Sequence, residues 1–405
     1  MRILNITAQK PDSTGSGVYL AQTVRCQQEA GHETAVICGV AETDPLDAID
    51  SRAAVYPVRF ETPELPFPVC GMSDVMPYPA TRYRDLTPTM REQFEAAFSA
   101  ALARAVEEFE PDVVLCHHLY LLTALVREQV RDVPVAAVCH STDLRQWAQH
   151  GLERERIARA MRELDLVLCL TEGQAEQVVE TYGVEPRRIL VVGAGFDAHR
   201  FCRDDSVPRE AGSLLYVGKI CRAKGVPSLL RAMSLLAEQG NAPSVLRLAG
   251  GWGVAEEERA EAEALAEQCP VPVEFLGRLT PDDVAEQYRR AEVFALPSFF
   301  EGMPLVLVEA MACGCKAVCT DLAGVRPWIE AQVPGAPVQW VGLPPMADVD
   351  KPEPGALPAF EERLAAAIAV SLAATAPTAD LSPAAWEQVS RRIADALAQP
   401  AAAPA

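Results

Sequence analysis

Two lysines and two glutamates in the second half of the chain have types and spacings that suit a phosphorylated, hydroxyl-rich ligand. Lys219 and Lys224 stand between two glycines in Tyr216-Val-Gly218-Lys-Ile-Cys-Arg-Ala-Lys-Gly225. The pattern is that of a strand entering a glycine turn and then a helix. Such a turn lies at the carboxyl edge of a parallel sheet, where ligands bind. Two ammonium groups there could hold a diphosphate; a solvated lysine pair would look the same. Glu301 and Glu309 occur in Leu296-Pro-Ser-Phe-Phe-Glu301-Gly-Met-Pro304-Leu-Val-Leu-Val-Glu309-Ala-Met-Ala-Cys-Gly314. This run predicts a strand ending at Leu296, a helix with Pro304 in its first turn, and a stop at Gly314. The amides of Gly302 and Met303, and those of the turn from Pro304 and Leu305 onward, would then face outward as an anion site. Ionised carboxylates only accept hydrogen bonds, so Glu301 and Glu309 suit a hexose and a ribose rather than phosphate. Taken alone, a helix-capping Glu301 and a solvated Glu309 fit equally well.

The first half offers histidines and another glycine turn. His117 and His118 end the apolar run Val113-Val-Leu-Cys, and His140 ends Val135-Ala-Ala-Val-Cys in front of Ser141-Thr-Asp143. Both sites fall on a predicted carboxyl edge, although a lone histidine is more often only hydrogen-bonded. Thr14-Gly-Ser-Gly17-Val follows the first strand and opens a helix that ends near Gly31. It is not a dinucleotide fingerprint, because Leu20 stands where the third glycine would fall.

These residues need elements to hold them. Strand-like runs alternate with helical patterns almost throughout, which predicts parallel sheets covered by helices on both faces. The first set of strands is expected at Ile3–Thr7, Glu33–Cys38, Asp112–Cys116, Val135–Cys139, Leu166–Leu170 and Ile189–Val192. The second is expected at Leu214–Val217, Val245–Ala249, Val273–Leu276, Val293–Leu296 and Ala317–Thr320. The fold class is therefore α/β, with two doubly wound Rossmann-like domains facing across a cleft. The boundaries are drawn at 1–195 and 196–382, with a helix over 383–397 and a frayed Ala/Pro tail over 398–405. The proline-rich segment Glu61–Arg91 has no periodicity and reads as a functional or disordered loop. Residues 346–358 follow no recognisable pattern, and Asp348-Val-Asp350 within them reads as a solvated loop.

Composition excludes several roles. A net charge of −20 over 405 residues, without a basic cluster, disfavours nucleic acid and anionic lipid as partners. No apolar run is long enough to span a bilayer, and Met1-Arg-Ile-Leu-Asn-Ile-Thr leads straight into a strand, so a cytoplasmic protein is expected. Of the twelve cysteines, Cys116, Cys139, Cys169 and Cys319 sit in or next to apolar runs, as small core residues do. Cys313, Cys315 and Cys319 form the one cluster, and it lacks the further cysteine or histidine pair expected of a zinc site.

With these residues in view, the chain resembles the retaining family-four glycosyltransferases of the GT-B fold over nearly its whole length. The lysine pair matches that family's Gly-Arg/Lys-x4-Lys-Gly phosphate motif, and Glu301 and Glu309 match its glutamates with seven residues between them. Gly195, Asp197 and Phe201 resemble the linker motif. Ala385-Trp-Glu387 resembles the closing helix that crosses back to the first domain. Gly17 matches the second glycine of the first-domain turn. His140 aligns with the histidine beside the transferred sugar, and His117 with a structural or substrate-lining one. Lys219 stands where arginine is commoner, Ala194 replaces an asparagine, and Ala323-Gly-Val-Arg-Pro-Trp328 departs from the usual turn after the last core strand.

The resemblance implies transfer of a hexosyl group from a UDP-, GDP- or ADP-linked sugar to an acceptor hydroxyl, with retention and without metal or cofactor. It implies Lys219, Lys224 and the helix start for the diphosphate, Glu309 for the ribose, Glu301 for the donor sugar and the backbone around Arg278 for the base. Gly17 and His140 would complete the site. The rival readings are a nucleotide-sugar epimerase on the same fold and a non-catalytic sugar-nucleotide-binding protein. The Glu61–Arg91 loop is the expected place for acceptor contacts.

Overall fold

Apolar runs bounded by turn residues and flanked by amphipathic stretches become strands buried on both faces. The computed structural model describes residues 1–11, 13–74, 76–253, 255–375 and 379–398. It divides the chain into one unit of Met1–Ala194 with Trp386 onward, and another of Gly195–Ala385. The sequence reading drew these joins after 195 and after 382. Its expected tail falls, beyond Ala398, outside the described residues.

In the first unit β1 (Arg2–Thr7), β2 (Glu33–Ala41), β3 (Ala54–Phe60), β6 (Val113–His117), β7 (Val135–Val138), β8 (Leu166–Cys169) and β9 (Ile189–Val191) form one sheet. Two short strands, β4 (Cys70–Gly71) and β5 (Thr81–Arg82), pair separately. The sheet runs β3-β2-β1-β6-β7-β8-β9, with every pairing parallel. Its helices are α1 (Gly15–Glu29), α2 (Pro88–Phe109), α3 (Leu121–Gln129), α4 (Thr142–Gln149), α5 (Arg154–Arg162) and α6 (Glu172–Tyr182). Strand β3 escaped the sequence reading because Pro57 interrupts it. A proline is tolerated there because β3 is an edge strand.

The second unit repeats the plan. Strands β10 (Glu210–Val217), β11 (Val245–Ala249), β12 (Val273–Gly277), β13 (Ala291–Leu296), β14 (Lys316–Asp321) and β15 (Val338–Gly342) pair in parallel in the order β12-β11-β10-β13-β14-β15. The sequence reading missed β15, an edge strand with one fully buried residue, Val341, and hence no continuous apolar run. Helices α7 (Val226–Glu238), α8 (Glu256–Gln268), α9 (Pro281–Arg290), α10 (Leu305–Ala312), α11 (Arg326–Gln332) and α12 (Leu357–Ala373) flank the sheet. Helix α7 shows why: Val226, Leu229, Leu230, Met233 and Leu236 recur at helical spacing and are all buried. The last helix, α13 (Trp386–Ala398), belongs to the first unit and packs on α1.

Two expected loops are more ordered than their composition suggested. In the Glu61–Arg91 segment Phe67, Val69, Cys70, Met72 and Tyr83 are buried in the first unit's core. Its irregular, proline-rich backbone conceals this packing from any periodicity test. Lys10 lies over the Tyr78 ring at 4.9 Å, and the Gln146 amide donates to the Met72 carbonyl at 3.3 Å. The second is an antiparallel hairpin of β16 (Met346–Asp348) and β17 (Lys351–Pro352), so Asp348 lies in a strand and Asp350 in its turn. Among the described residues no helix is long and apolar enough to cross a membrane.

Candidate active site

A doubly wound sheet opens a crevice where its strand order reverses, because the connections on either side leave in opposite directions. In the second unit that point lies between β10 and β13. The Lys219–Lys224 turn follows β10, and the Pro297–Pro304 turn follows β13. The backbones of these turns touch, since the Phe299 amide donates to the Ala223 carbonyl at 3.1 Å. Gly225 makes the approach possible: its φ is +69°, and a Cβ there would fall 2.1 Å from the Pro297 carbonyl oxygen. Gly250, after β11, is equally constrained, with a would-be Cβ 1.9 Å from the Gly218 oxygen.

The side chains converge on this backbone. Lys224 Nζ lies 2.8 Å from Glu301 Oε2 and donates to the Phe300 carbonyl at 3.1 Å. Ser298, fully buried, donates its hydroxyl to Glu301 Oε1 at 2.7 Å. One carboxylate is thus held from both sides, with its side chain 16% exposed. Lys219 is exposed, and its carbonyl accepts from the buried Tyr216 hydroxyl at 2.7 Å. Arg278 is exposed too and packs its guanidinium against Gly251, next to Trp252 and Phe275, whose rings lie 5.0 Å apart.

Helix α10 starts one residue later than the sequence predicts. Pro304 is the N-cap, with φ −80° and ψ 85°, and its carbonyl accepts from Leu307. The Leu305 amide bends back to the Met303 carbonyl at 3.0 Å, which removes it from the expected anion site. The amides of Gly302 and Met303 have no backbone acceptor among the described residues. Glu309 is on this helix but not on a solvated face. Burial pushes its carboxyl up to about 7, opposed by the Tyr288 hydroxyl and the Arg200 charge and reinforced by Asp197. The Tyr288 hydroxyl has no partner in full hydrogen-bond geometry, so its effect on Glu309 is that of a nearby dipole. Asp197, from the linker motif, and Arg200 next to it therefore act on Glu309 through their charges, which the sequence alone did not indicate.

In the first unit the order reverses between β1 and β6. His117, at the end of β6, places Nδ1 at 3.1 Å from Nε2 of His140, which follows β7, and the two rings stack. His118 tilts toward His140 at 4.7 Å, and Tyr19 meets His140 edge-on at 5.1 Å. Burial lowers all three histidines: His117 to about 3, with His118 adding repulsion, and His118 to about 4, with Asp143 opposing. His140 falls well below its ordinary value through burial and then the two neighbouring rings. His140 is therefore a neutral hydrogen-bonding group, not a standing acid. Gly17 lies in the first turn of α1, in the helix that its glycine turn was expected to open, and its amide donates to the Thr14 hydroxyl at 3.1 Å.

The comparisons with known proteins bear on the family and the fold. Residues 13–200 match the model for Glycosyltransferase Family 4, and residues 203–339 match that for Glycosyl transferases group 1. The D-inositol 3-phosphate glycosyltransferase 1 of Catenulispora acidiphila is 27% identical over 374 residues, covering 81% of this chain and 79% of that one. The chain belongs to the family-four glycosyltransferases of the GT-B fold. A D-inositol 3-phosphate glycosyltransferase of Geodermatophilus obscurus is 30% identical over 271 residues, 60% of each chain, so this match spans about three fifths of the relative. Among solved structures, a sucrose-phosphate synthase from Thermosynechococcus elongatus aligns over 98% of both chains with a TM-score of 0.63 and 18% identity. An Anabaena protein in complex with UDP and glucose aligns over 98% of this chain and 99% of its own, at 0.60 and 14%. These two likenesses concern the fold.

Within this family-four chain, one group among the described residues could hold a metal: Cys26, Glu29 and Glu387, on α1 and α13. It lies in the first unit, whereas Lys224, Glu301 and Glu309 lie in the second. Cys313, Cys315 and Cys319 are core residues whose thiols burial pushes up, Cys315 to about 11.

Two stability predictions follow from these packings. Gly225→Ala should cost roughly 1–3 kcal/mol in the unfolding of the second unit, from a strained φ and the clash with Pro297. Gly240→Ala, at a similar φ of +74° with open space around it, should cost less. Equal losses would show that the close approach is not what demands glycine. The second concerns the histidines. Folding depresses their pKa values, so their stabilisation is complete above the ordinary value of about 6.5 and is lost as pH falls toward the folded values. Between pH 6 and 4.5, His117→Gln should reduce the slope of unfolding free energy against pH by one proton, about 1.4 kcal/mol per unit. An unchanged slope would mean that His117 is not held neutral.

Proposed function

We propose that the chain moves a hexosyl group from a UDP-, GDP- or ADP-linked sugar to an acceptor hydroxyl, with retention of configuration and without a metal. The observation that carries this reading is the 2.8 Å pair of Lys224 Nζ and Glu301 Oε2 at the switch point of the second sheet. A cation for phosphate and an acceptor for sugar hydroxyls stand close enough to act on one ligand. When the bond from the anomeric carbon to the diphosphate breaks, its electron pair goes to the leaving oxygen. Lys219, Lys224 and the amides of Gly302 and Met303 are suited to stabilise that charge. Glu309 accepts from the ribose, Glu301 from the hexose, and the backbone at Arg278 meets the base. The acceptor hydroxyl forms the new bond and gives up a proton. We assign neutral His140, with His117 behind it, to hydrogen-bonding near the transferred sugar, and Gly17 to close backbone approach.

The relatives' names support a cyclitol phosphate as the acceptor class. Structural neighbours in complex with UDP and glucose, or bound with UDP-2-fluoro glucose, support a uridine donor. Among the described residues no disulfide links any of the twelve cysteines, which supports a reducing compartment such as the cytoplasm. Incubation with single nucleotide sugars tests the whole reading. A transferase releases nucleotide slowly, and faster with acceptor. A rearranged sugar would indicate an epimerase, and binding without turnover a scaffold.

Two predictions are specific to this mechanism. Activity should survive EDTA, and Lys224→Ala should lower turnover by about 10²–10³, as when one preorganised donor is lost. Lys224→Arg should restore only part, because a planar fork replaces a point charge. Activity abolished by EDTA and restored by magnesium or manganese would overturn the mechanism. The second concerns Glu309, whose carboxyl sits near 7. If it accepts from the ribose, nucleotide affinity is full above that pH and lost as pH falls through it. UDP should therefore bind several-fold more weakly at pH 6 than at pH 8. Glu309→Gln should bind about tenfold more weakly at pH 8, as expected for a lost charge-assisted bond. It should retain only the phosphate's own titration below that. Parallel pH profiles for the two proteins would remove Glu309 from the ribose.

A further inference from the structure

Three turns at the carboxyl edge of the first sheet meet around His140. The turn after β6 carries His117, His118 and Leu119, that after β7 carries Cys139, His140 and Ser141, and that after β8 carries Leu170 and Thr171. Beneath them lies Asp143, in the first turn of α4 and fully buried. Its Oδ2 accepts from the Leu119 amide at 2.8 Å and from the His140 amide at 3.2 Å. Its Oδ1 accepts from the Leu144 amide at 3.2 Å and from the Cys139 thiol at 3.4 Å. A residue that only capped its own helix would not reach Leu119, 24 positions away. The backbone beside both clamped turns is strained, with φ of +75° at His118 and +67° at Ser141, neither of them glycine. Gln174 secures the third turn, accepting from the Leu170 amide at 2.7 Å and donating to the Ser141 hydroxyl at 2.7 Å.

We infer that Asp143 is a positioning residue for His140, holding its backbone and ring in register with His117, and that Gln174 is its auxiliary. The inference rests on the proposed reaction only in giving His140 work to do. Four donors converge on two carboxylate oxygens, which a carboxylate satisfies and a carboxamide does not. In Asp143→Asn an NH₂ group must face two of those donors. The turns then lose their common anchor, and the strained residues beside them can relax.

The test pairs kinetics with a signal that needs no activity. Asp143→Asn and Gln174→Ala are compared with wild type and His140→Ala for kcat, nucleotide affinity and the His140 imidazole resonances. Asp143→Asn should lower kcat 10- to 100-fold, and Gln174→Ala several-fold, with UDP affinity unchanged because the residues proposed for its diphosphate, ribose and base (Lys219, Lys224, Glu309, Arg278) lie in the other unit. Both should shift the His140 resonances. In the double variants with His140→Ala neither should lower kcat further, because each acts through His140. Should Asp143→Asn not fold, the Gln174→Ala cycle with His140→Ala decides alone. Folded variants with wild-type kcat and unmoved His140 resonances would overturn the inference, as would losses that simply multiply with that of His140→Ala. A wild type that turns over no nucleotide sugar would instead overturn the proposed function, and the resonances would still judge Asp143.

Discussion

Contact between backbones at the strand-order reversal of the second sheet sets the geometry of everything beside it. Side chains can shift to relieve a clash, but carbonyl oxygens fixed at the ends of buried parallel strands cannot. Gly225 against Pro297 is such a contact, closed by the Phe299–Ala223 hydrogen bond, and Gly250 against Gly218, after β11 and β10, is a like one beside it. Lys224 precedes Gly225 and Glu301 lies four residues beyond Pro297. Their ion pair therefore follows from how closely two turns can pack. The parallel sheet has to exist before the pair can.

Burial then decides the chemistry of the groups near each reversal. Three histidine rings packed on one another have no room for a cation and stay neutral, so His140 is limited to donating or accepting a hydrogen bond. Glu309 is pushed the other way by the same cause. Loss of water raises its carboxyl to about 7, and Arg200 offsets this only in part. A group so placed is sensitive to any ligand that brings donors to it, because the ligand replaces the water that burial removed.

Much of this was legible in the residues. The alternation of apolar runs with helical patterns located eleven of the thirteen strands in the two large sheets: nine interior strands, whose burial leaves a continuous apolar signature, and the edge strands β9 and β12, whose residues are still largely apolar. The edge strands β3 and β15 were not legible, since a half-covered strand needs no such run and can contain Pro57. Lys224 and Glu301 could be placed on turns, and Glu309 on the helix that follows, because glycine and proline mark these boundaries; their roles were given by the family resemblance. Asp143 was visible as a letter and silent as a function. Its role lies in accepting from an amide 24 positions away as well as from neighbours, and no local spacing encodes that. Likewise the Leu305 amide, turned back on Met303, depends on the φ/ψ of Pro304 rather than on its identity.

The charge balance of the chain bears on selectivity. With a net charge of −20, the protein repels anions at long range, and Lys224, the cation proposed for the diphosphate, already has a carboxylate partner at 2.8 Å. A bare phosphate that draws Lys224 away leaves Glu301 with only the Ser298 hydroxyl, in a position where a half-buried carboxylate is costly to strand. A ligand carrying hydroxyl groups next to its diphosphate repays that loss, because the hydroxyls can donate to Glu301 as the phosphate takes the ammonium. On the proposed assignment, the ion pair penalises simple anions and spares sugar-bearing ones. An arrangement of two lysines without the glutamate would bind both kinds alike.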